Sequence, residues 1–199
     1  MPDSDDSVRA GKPTKPTSLL LTSARRTATL AVRSFLPPVR SFADQSNVMN
    51  SGSELPAGLK VKHAAGILIF TRSAPKQFLL MRHTDRWDLP KGHRDGDETD
   101  AETALRETEE ETGLAATSIQ LDPNFHFQLV YPVKYKRDGK PVEKRVTYFI
   151  GEVNEAFTPE LTEHEGFQWF DWAPPHKIQS QTIDPLLSAV AEHLGKRQA

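Results

Sequence analysis

Three glutamates near the middle of the chain, Glu107, Glu110 and Glu111, have a spacing that favours chemistry over packing. In a helix predicted over residues 99–112, side chains three and four positions apart stack on one face, so the three carboxylates converge. Like charges at this spacing destabilise a helix by roughly 0.2–0.5 kcal/mol per pair, and we therefore expect a cation on this face. Mg2+ or Mn2+ fits better than zinc, because oxygen ligands suit a hard cation and the cluster contains neither cysteine nor histidine.

Mg2+ in proteins usually keeps several waters and binds substrate phosphates, so this helix face indicates a site that processes phosphates. The alternative is a solvated acidic surface, on which Arg106 forms ordinary ion pairs with Glu102 and Glu110. Gly113 is predicted to end the helix in the left-handed conformation. The opposite stripe is mildly apolar and is predicted to face the core: Ala101, Ala104, Leu105, Thr108 and Thr112.

The spacing of the whole segment decides between these two interpretations. From Gly92 to Gly113 the sequence reads Gly-x5-Glu-x7-Arg-Glu-x2-Glu-Glu-x-Gly. This pattern resembles the Nudix box, the signature of hydrolases that act on nucleoside diphosphates linked to another group. The resemblance implies an α/β/α sandwich with a mixed sheet, and hydrolysis of a phosphoanhydride with Mg2+, or Mn2+, as the cofactor.

Positions in and around the box resemble one subgroup, the diadenosine tetraphosphate hydrolases, or asymmetrical bis(5'-nucleosyl)-tetraphosphatases. Lys91-Gly92-His93 stands where other Nudix proteins commonly carry Gly-Gly, and Thr108 replaces an aliphatic residue, as in that subgroup. Residues 95–97 depart from the subgroup's Pro-Gly turn, which predicts a shifted loop. The resemblance implies that water attacks phosphorus and converts diadenosine tetraphosphate to ATP and AMP.

The resemblance also implies roles for individual residues. Glu107, Glu110 and Glu111 hold the metal and serve in catalysis. Arg106 is placed in the catalytic set as a brace that pairs with Glu98. The predicted metal site consists of Gly92, through its backbone carbonyl, and Glu98, Glu107, Glu110 and Glu111.

Outside the helix, the resemblance to this subgroup implies that Glu163 is a metal ligand or general base, and the alternative for it is an exposed loop carboxylate. The same resemblance implies that Tyr131 stacks on adenine and that Lys144 contacts a phosphate. His93 is predicted to neutralise phosphate charge, with a solvated loop histidine as the alternative. The predicted substrate-binding set is Lys91, His93, Tyr131, Lys144 and His164.

Other functions remain open at this point. A nucleoside triphosphate pyrophosphohydrolase acting on oxidised dNTP, or an RNA 5'-end pyrophosphohydrolase, would use the same metal helix. A non-catalytic Nudix module that binds nucleotides or a regulatory partner belongs to a different class. The intact Glu107, Glu110 and Glu111 count against that module, because a domain that only binds has no need of three repelling carboxylates.

The chain divides near residue 58. Residues 7–43 contain no Asp or Glu and mix basic residues with Ser, Thr and Pro, so residues 1–58 are predicted to be a disordered extension. Residues 59–199 are predicted to form the hydrolase domain. The alternatives for the extension are a transit or surface-binding segment, or a translation start at Met49.

Composition limits the partners. A net charge of -2 argues against stable nucleic-acid binding, and no apolar run approaches the roughly 20 residues of a membrane span. The absence of cysteine excludes disulfides and thiol chemistry. We expect a soluble cytoplasmic protein, favoured as a monomer, that binds a small nucleotide substrate; organelle targeting through the extension is the alternative.

Alternation of apolar and polar residues predicts the elements that position these side chains. A turn at residues 137–140, containing Asp138-Gly139, is predicted to join two of the strands. A terminal helix at residues 183–194 is predicted to be capped by Thr182 or Asp184. The predicted strands are residues 62–72, 77–82, 126–135, 142–153 and 167–172.

Overall fold

The computed structural model describes residues 59–134 and 141–197, together with the backbone of residues 47–50. Its helices are α1 (Asp100–Thr112) and α2 (Ile183–Lys196). A short 3-10 helix covers Ala116–Ser118. The strands are β1 (Asn47–Asn50), β2 (Val61–Thr71), β3 (Gln77–Arg82), β4 (Trp87–Asp88), β5 (Lys91–His93), β6 (Gln120–Leu121), β7 (Phe127–Lys134), β8 (Pro141–Val153) and β9 (Gly166–Asp171).

The strands form one mixed sheet in the order β1-β7-β8-β2-β3-β4. The long strands β2 and β8 run parallel at its centre, with Val61 opposite Glu143 and Thr71 opposite Val153. β7 pairs antiparallel with β8, and β3 pairs antiparallel with β2. Three further strands pair outside this path: β5 with β2, β6 with β8, and β9 with β3.

The two helices cover opposite faces of the sheet. Thr147 of β8 donates a hydrogen bond from its hydroxyl to Asp100 of α1, whereas Tyr148 belongs to the core cluster that contains Leu186 and Val190 of α2. Consecutive residues of a strand point to opposite faces, so α1 and α2 lie on different sides. This arrangement confirms the predicted α/β/α sandwich with a mixed sheet.

Burial on both faces explains why β2 is apolar almost without interruption. Every residue from Ala64 to Thr71 is buried, as expected for a central strand with helices above and below it. Each large side chain of this kind contributes roughly 1.5–3 kcal/mol when it is fully buried. Burial on both faces of the sheet therefore contributes to the stability that holds the site in place.

The long elements predicted from the sequence are confirmed, with ends that differ by at most two residues. The short strands β4, β5 and β6 were not predicted, because two or three residues are too few to show a periodicity. The predicted turn at residues 137–140 lies outside the described residues. On α1 the core stripe needs a correction: Ala101 is only half-buried, while Thr103 and Glu111 are buried.

The predicted cap of α2 is wrong in its chemistry. Thr182 occupies the N-cap position, but its side chain makes no cap hydrogen bond. Asp184 instead accepts hydrogen bonds from the backbone N–H groups of Ile178 and Gln179, at 2.7 and 2.9 Å. Its carboxylate therefore fixes the loop that enters the helix rather than the first helical turn.

Residues 47–50, which the sequence placed in the extension, form β1 and pair in parallel with β7, with Asn47 opposite Phe127 and Asn50 opposite Val130. The rest of the predicted extension lies outside the described residues. Neither helix in the described part of the chain combines the length and apolar character needed to cross a membrane.

Candidate active site

Helix α1 has well-defined ends. Thr99 is the N-cap: its hydroxyl accepts a hydrogen bond from the Glu102 backbone at 3.2 Å, and the Glu102 carboxylate accepts one from the Thr99 backbone at 2.8 Å. This capping box satisfies two backbone donors of the first turn. Gly113, with a φ of 71°, ends the helix in the left-handed conformation, as predicted. These ends set which residues of α1 face the sheet.

The unusual Thr108 has a local explanation. Its side chain is fully buried, and its hydroxyl donates a hydrogen bond of 2.7 Å to the backbone carbonyl of Ala104. A buried hydroxyl is tolerated when it is hydrogen-bonded, and a helical threonine can bond the carbonyl four residues earlier. Threonine can therefore occupy this core position where an aliphatic residue is the usual choice.

Glu107 lies directly against the backbone of β5. A Cβ placed on Gly92 would lie 2.0 Å from the carboxyl carbon of Glu107, much closer than any real contact. Gly92 itself is held in β5 opposite Ala65 of β2. The missing side chain at Gly92 therefore makes the space that the Glu107 carboxylate occupies.

Glu111 is buried, with 6% of the residue exposed, and its carboxylate accepts a hydrogen bond of 3.1 Å from the Lys91 backbone. Burial raises the pKa of Glu111 to about 8. Burial also raises the pKa of Glu107, although Arg106 opposes the shift. Glu110 differs from both, because 62% of its side chain is exposed.

Arg106 connects the helix to the loop that precedes it. Its Nε and Nη2 atoms donate to the two carboxylate oxygens of Glu98 at 2.7 and 3.0 Å, which confirms the predicted pairing. Its Nη1 atom donates to Glu107 at 2.8 Å and to Glu110 at 3.1 Å, and Nη2 also donates to the backbone carbonyl of His93. The hydrogen bonds with Arg106 lower the pKa of Glu98, despite burial, and raise that of the guanidinium.

We use the name basic patch for four basic residues on neighbouring strands: Lys62, Lys91, His93 and Lys144. Lys91 connects it to α1, because its backbone N–H donates to Glu111. Lys62 and Lys144 are opposite each other on β2 and β8. Burial, followed by the charge of Lys91, lowers the pKa of Lys144, and burial followed by the charge of Lys144 lowers that of His93. Each of these cations makes protonation of its neighbours less favourable, so the side chains lie close together. The basic patch can therefore bind an anion.

Tyr131 lies beside the basic patch. It is opposite Lys144 in the register of β7 and β8, and its partly buried ring packs against the core cluster. The sequence-predicted stacking residue and the predicted phosphate contact are thus neighbours on adjacent strands.

Glu163 and His164, adjacent in sequence, have different environments in the structure. Glu163 is exposed, and its charge helps to raise the pKa values of Glu107 and Glu111, so it lies near both. His164 is buried, with 2% of its side chain exposed, and its Nδ1 atom lies 3.8 Å from Glu111. A ring this buried has little surface to offer a nucleotide, which speaks against the predicted substrate contact.

The structure also brings two residues to this region that sequence reasoning did not select. Asp88 accepts a hydrogen bond of 2.7 Å from the ammonium of Lys91, and His83 lies 3.5 Å from the same carboxylate oxygen. Both residues lie before Gly92, outside the spaced pattern, so that pattern could not identify them. The ammonium of Lys91 is therefore ion-paired with the buried carboxylate of Asp88.

The carboxylates of α1 fit a hard divalent cation. Glu107, Glu110 and Glu111 supply only oxygen donors, and Gly92 leaves room for Glu107 at the backbone of β5. Glu111 is buried, and within the described residues its carboxylate accepts one backbone hydrogen bond, so it would gain from a cation. The donor types on this face of α1 are therefore those that a hard divalent cation prefers.

Known proteins are similar to this chain in sequence. The NUDIX domain family model matches residues 61–193. The asymmetrical bis(5'-nucleosyl)-tetraphosphatase of Mus musculus is 37% identical over 119 residues, covering 53% of this chain and 76% of that protein. The Caenorhabditis elegans protein of the same name is 32% identical over 123 residues, covering 59% of this chain and 85% of that protein.

A solved structure agrees with the sequence relatives. The crystal structure of a C. elegans Ap4A hydrolase binary complex superposes with a TM-score of 0.56 and 28% sequence identity, covering 68% of this chain and 98% of that one. The family match extends from the start of β2 nearly to the end of α2 and includes the whole carboxylate helix. This chain therefore belongs to the Nudix family and is a Nudix hydrolase.

Proposed function

We propose that this Nudix hydrolase, which cleaves pyrophosphate linkages of nucleotides, acts on dinucleoside polyphosphates and converts diadenosine tetraphosphate and water to ATP and AMP. The similarity to asymmetrical tetraphosphatases, which covers 76% of the Mus musculus protein, carries the proposal. The placement of Tyr131 opposite Lys144, in the register of β7 and β8, supports it.

In this proposal Glu107, Glu110 and Glu111 hold Mg2+, or Mn2+, with Glu98 and the Gly92 carbonyl as further candidate ligands. The bound metal would neutralise phosphate oxygens and acidify the attacking water. Arg106 keeps Glu98, Glu107 and the His93 carbonyl in fixed positions through its hydrogen bonds. Positioning of this kind is a large part of what a protein contributes to phosphoryl transfer.

Glu163 is the proposed general base. Its exposed carboxylate near Glu107 and Glu111 can accept a proton from water as the new oxygen–phosphorus bond forms. The bridging phosphorus–oxygen bond then breaks, and the leaving nucleotide departs with the electron pair. Lys144 and His93 oppose the negative charge of the phosphate chain, and Tyr131 stacks on adenine, an interaction worth about 1–3 kcal/mol per base.

A product assay in 18O-labelled water tests the reaction and the substrate together. Purified protein with Mg2+ should convert diadenosine tetraphosphate to equimolar ATP and AMP, with one labelled oxygen in one of the two products. Nucleoside triphosphates and RNA carrying a 5'-triphosphate should be poorer substrates. Hydrolysis of either of these, without hydrolysis of the dinucleotide, would rule out the proposed substrate class.

The substitution Glu110→Gln tests whether the chain is an enzyme at this face or a binding module. Its side chain is 62% exposed, so folding should be unaffected. We expect turnover to fall at least about a hundredfold, the scale of losing one strong transition-state contact. Glu109→Gln is the matched control, because Glu109 is exposed on α1 but bonds the backbone of Ala116. Equal activity of the two variants would contradict a metal-holding role for Glu110.

A further inference from the structure

Two imidazoles and a carboxylate meet next to the carboxylate helix. One nitrogen each from His83 and His164 and one oxygen of Asp88 lie within 4.8 Å of one another. His83 follows β3, Asp88 ends β4 and His164 precedes β9. Since β3 pairs with both β4 and β9, with Arg82 opposite Trp87 and Gly166, the sheet register brings the three side chains together.

The buried histidine of this group lacks the usual hydrogen bonds. Among the described residues, neither ring nitrogen of His164 has a hydrogen-bond partner, although only 2% of its side chain is exposed. A buried polar group without a partner is unfavourable, and such a group calls for an explanation.

The donor atoms have a composition and spacing suited to a transition metal. The Nε2 atom of His83 lies 3.5 Å from the Asp88 carboxylate, and the ring centroids of His83 and His164 are 4.5 Å apart. Ligands at about 2.1 Å from a tetrahedral ion are separated by about 3.4 Å, so small side-chain rotations suffice. Two imidazoles with one carboxylate favour zinc-type ions, whereas Mg2+ prefers oxygen.

We propose that His83, Asp88 and His164 bind a divalent transition-metal ion of the zinc type, at a site distinct from the carboxylate face of α1. Three protein ligands leave a fourth position open. Glu111, whose carboxylate lies 3.8 Å from His164, is the nearest acidic side chain of α1. The ion would therefore sit at the edge of the hydrolase site, next to its most buried carboxylate.

Lys91 competes with the ion for Asp88. Its ammonium lies 2.7 Å from the Asp88 oxygen that would coordinate metal, and Arg86 lies 4.0 Å from the same oxygen. Metal binding therefore requires Lys91 to leave Asp88, since two cations cannot share the oxygen at bonding distance. Removal of this competing charge should tighten metal binding.

Calorimetric titration of tag-free protein with Zn2+, in saturating Mg2+, tests the site. We expect one Zn2+ per chain, and at least about tenfold weaker binding in His83→Gln and in His164→Gln, because even loss of an outer-shell partner costs about 10–100-fold. His126→Gln, a histidine between β6 and β7, is the control and should bind as wild type does. Lys91→Met should bind more tightly.

A Co2+ absorption spectrum and the Glu110→Gln variant complete the test. Co2+ in the wild-type site should give the strong visible absorption of a nitrogen-containing four-coordinate ion, and His83→Gln should lose it. Glu110→Gln should keep both the Zn2+ binding and this spectrum. Should His164→Gln fail to fold, His83→Gln and Lys91→Met still decide the matter. The proposal would be overturned if the wild-type protein did not bind Zn2+ in the presence of saturating Mg2+. It would also be overturned if His83→Gln bound Zn2+ with wild-type affinity, or if Glu110→Gln lost Zn2+ binding.

Discussion

Glu109, Glu110 and Glu111 are consecutive and chemically identical, yet the structure gives each a different environment. Glu109 is exposed and accepts a hydrogen bond from the Ala116 backbone. Glu110 is mostly exposed, and Glu111 is buried against the backbone of Lys91. A helix turns about 100° per residue, so three neighbours necessarily face solvent, site and core in turn. Residue type alone therefore does not define a role on α1.

The backbone at Gly92 and the side chain of Glu107 are closely fitted to each other. We expect Gly92→Ala to displace the Glu107 carboxylate, because the new Cβ would lie 2.0 Å from its carboxyl carbon. Turnover should fall at least about tenfold, as misplacement by about 1 Å can cost up to a hundredfold. Steady-state assays of the purified variant measure the change.

Gly166→Ala is the matched control for that substitution. A Cβ at Gly166 would meet only Arg82, at an ordinary contact distance of 3.9 Å. This variant should keep wild-type turnover and stability. An active Gly92→Ala variant would show that Glu107 can leave the backbone of β5 without loss of function.

At the scale of elements, the caps of α1 and α2 make a clean comparison. Both helices have threonine at the N-cap, but only Thr99 makes a side-chain cap hydrogen bond. We expect Thr99→Ala to reduce the free energy of unfolding by about 1 kcal/mol. A change of this size lowers Tm by about 2–4 °C in a protein of this length.

Thr182→Ala provides the counterpart on α2. Its loss should be smaller, because its hydroxyl contacts Gln179 rather than the first helical turn. Thermal unfolding followed by circular dichroism measures both variants. Equal shifts in Tm would mean that the capping box of Thr99 contributes nothing beyond an ordinary surface threonine.

At the scale of the whole molecule, Asp122 connects the end of the chain to the sheet. Its carboxylate accepts a hydrogen bond from the Asn124 backbone at 2.9 Å, contacts a ring nitrogen of His193 at 2.9 Å and binds Arg197 at 2.6 Å. Burial raises the pKa of Asp122, but these partners outweigh it and hold the pKa below its ordinary value. Helix α2 is thereby fixed at its last turn.

This interaction predicts a pH dependence of stability. A carboxyl whose pKa is lower in the folded state stabilises above its unfolded pKa, near 4, and loses that contribution as the pH falls through the folded value. We expect Asp122→Asn to be less stable than wild type by about 1–3 kcal/mol at pH 7. The difference should shrink below about pH 4, because both side chains are then neutral.

Chemical denaturation of the two proteins between pH 7 and pH 3 measures this difference. Asp85→Asn is the control, since 75% of the Asp85 side chain is exposed and its partner Arg86 is adjacent in sequence. It should match wild type throughout. A difference for Asp122→Asn that persists unchanged at pH 3 would exclude ionisation of Asp122 as its cause.

The long elements and the shared face of the α1 carboxylates could be predicted from the amino-acid sequence alone. Periodicity located β2, β3, β7, β8, β9 and both helices, because each spans enough residues to show which face is buried. The spacing of Glu107, Glu110 and Glu111 was also readable, since a helix converts local spacing directly into shared position.

Which of these side chains are buried, and what they contact, depends on how the sheet and the helices pack. The short strands β4 and β5 bring Asp88 and Lys91 to α1, and the pairing of β3 with β9 brings His83 to His164. Burial of Glu111 arises in the same way, from packing against a strand formed twenty residues earlier. Such contacts join residues that are distant in the chain, and their energies depend on a dielectric environment that forms only when the sheet and helices pack.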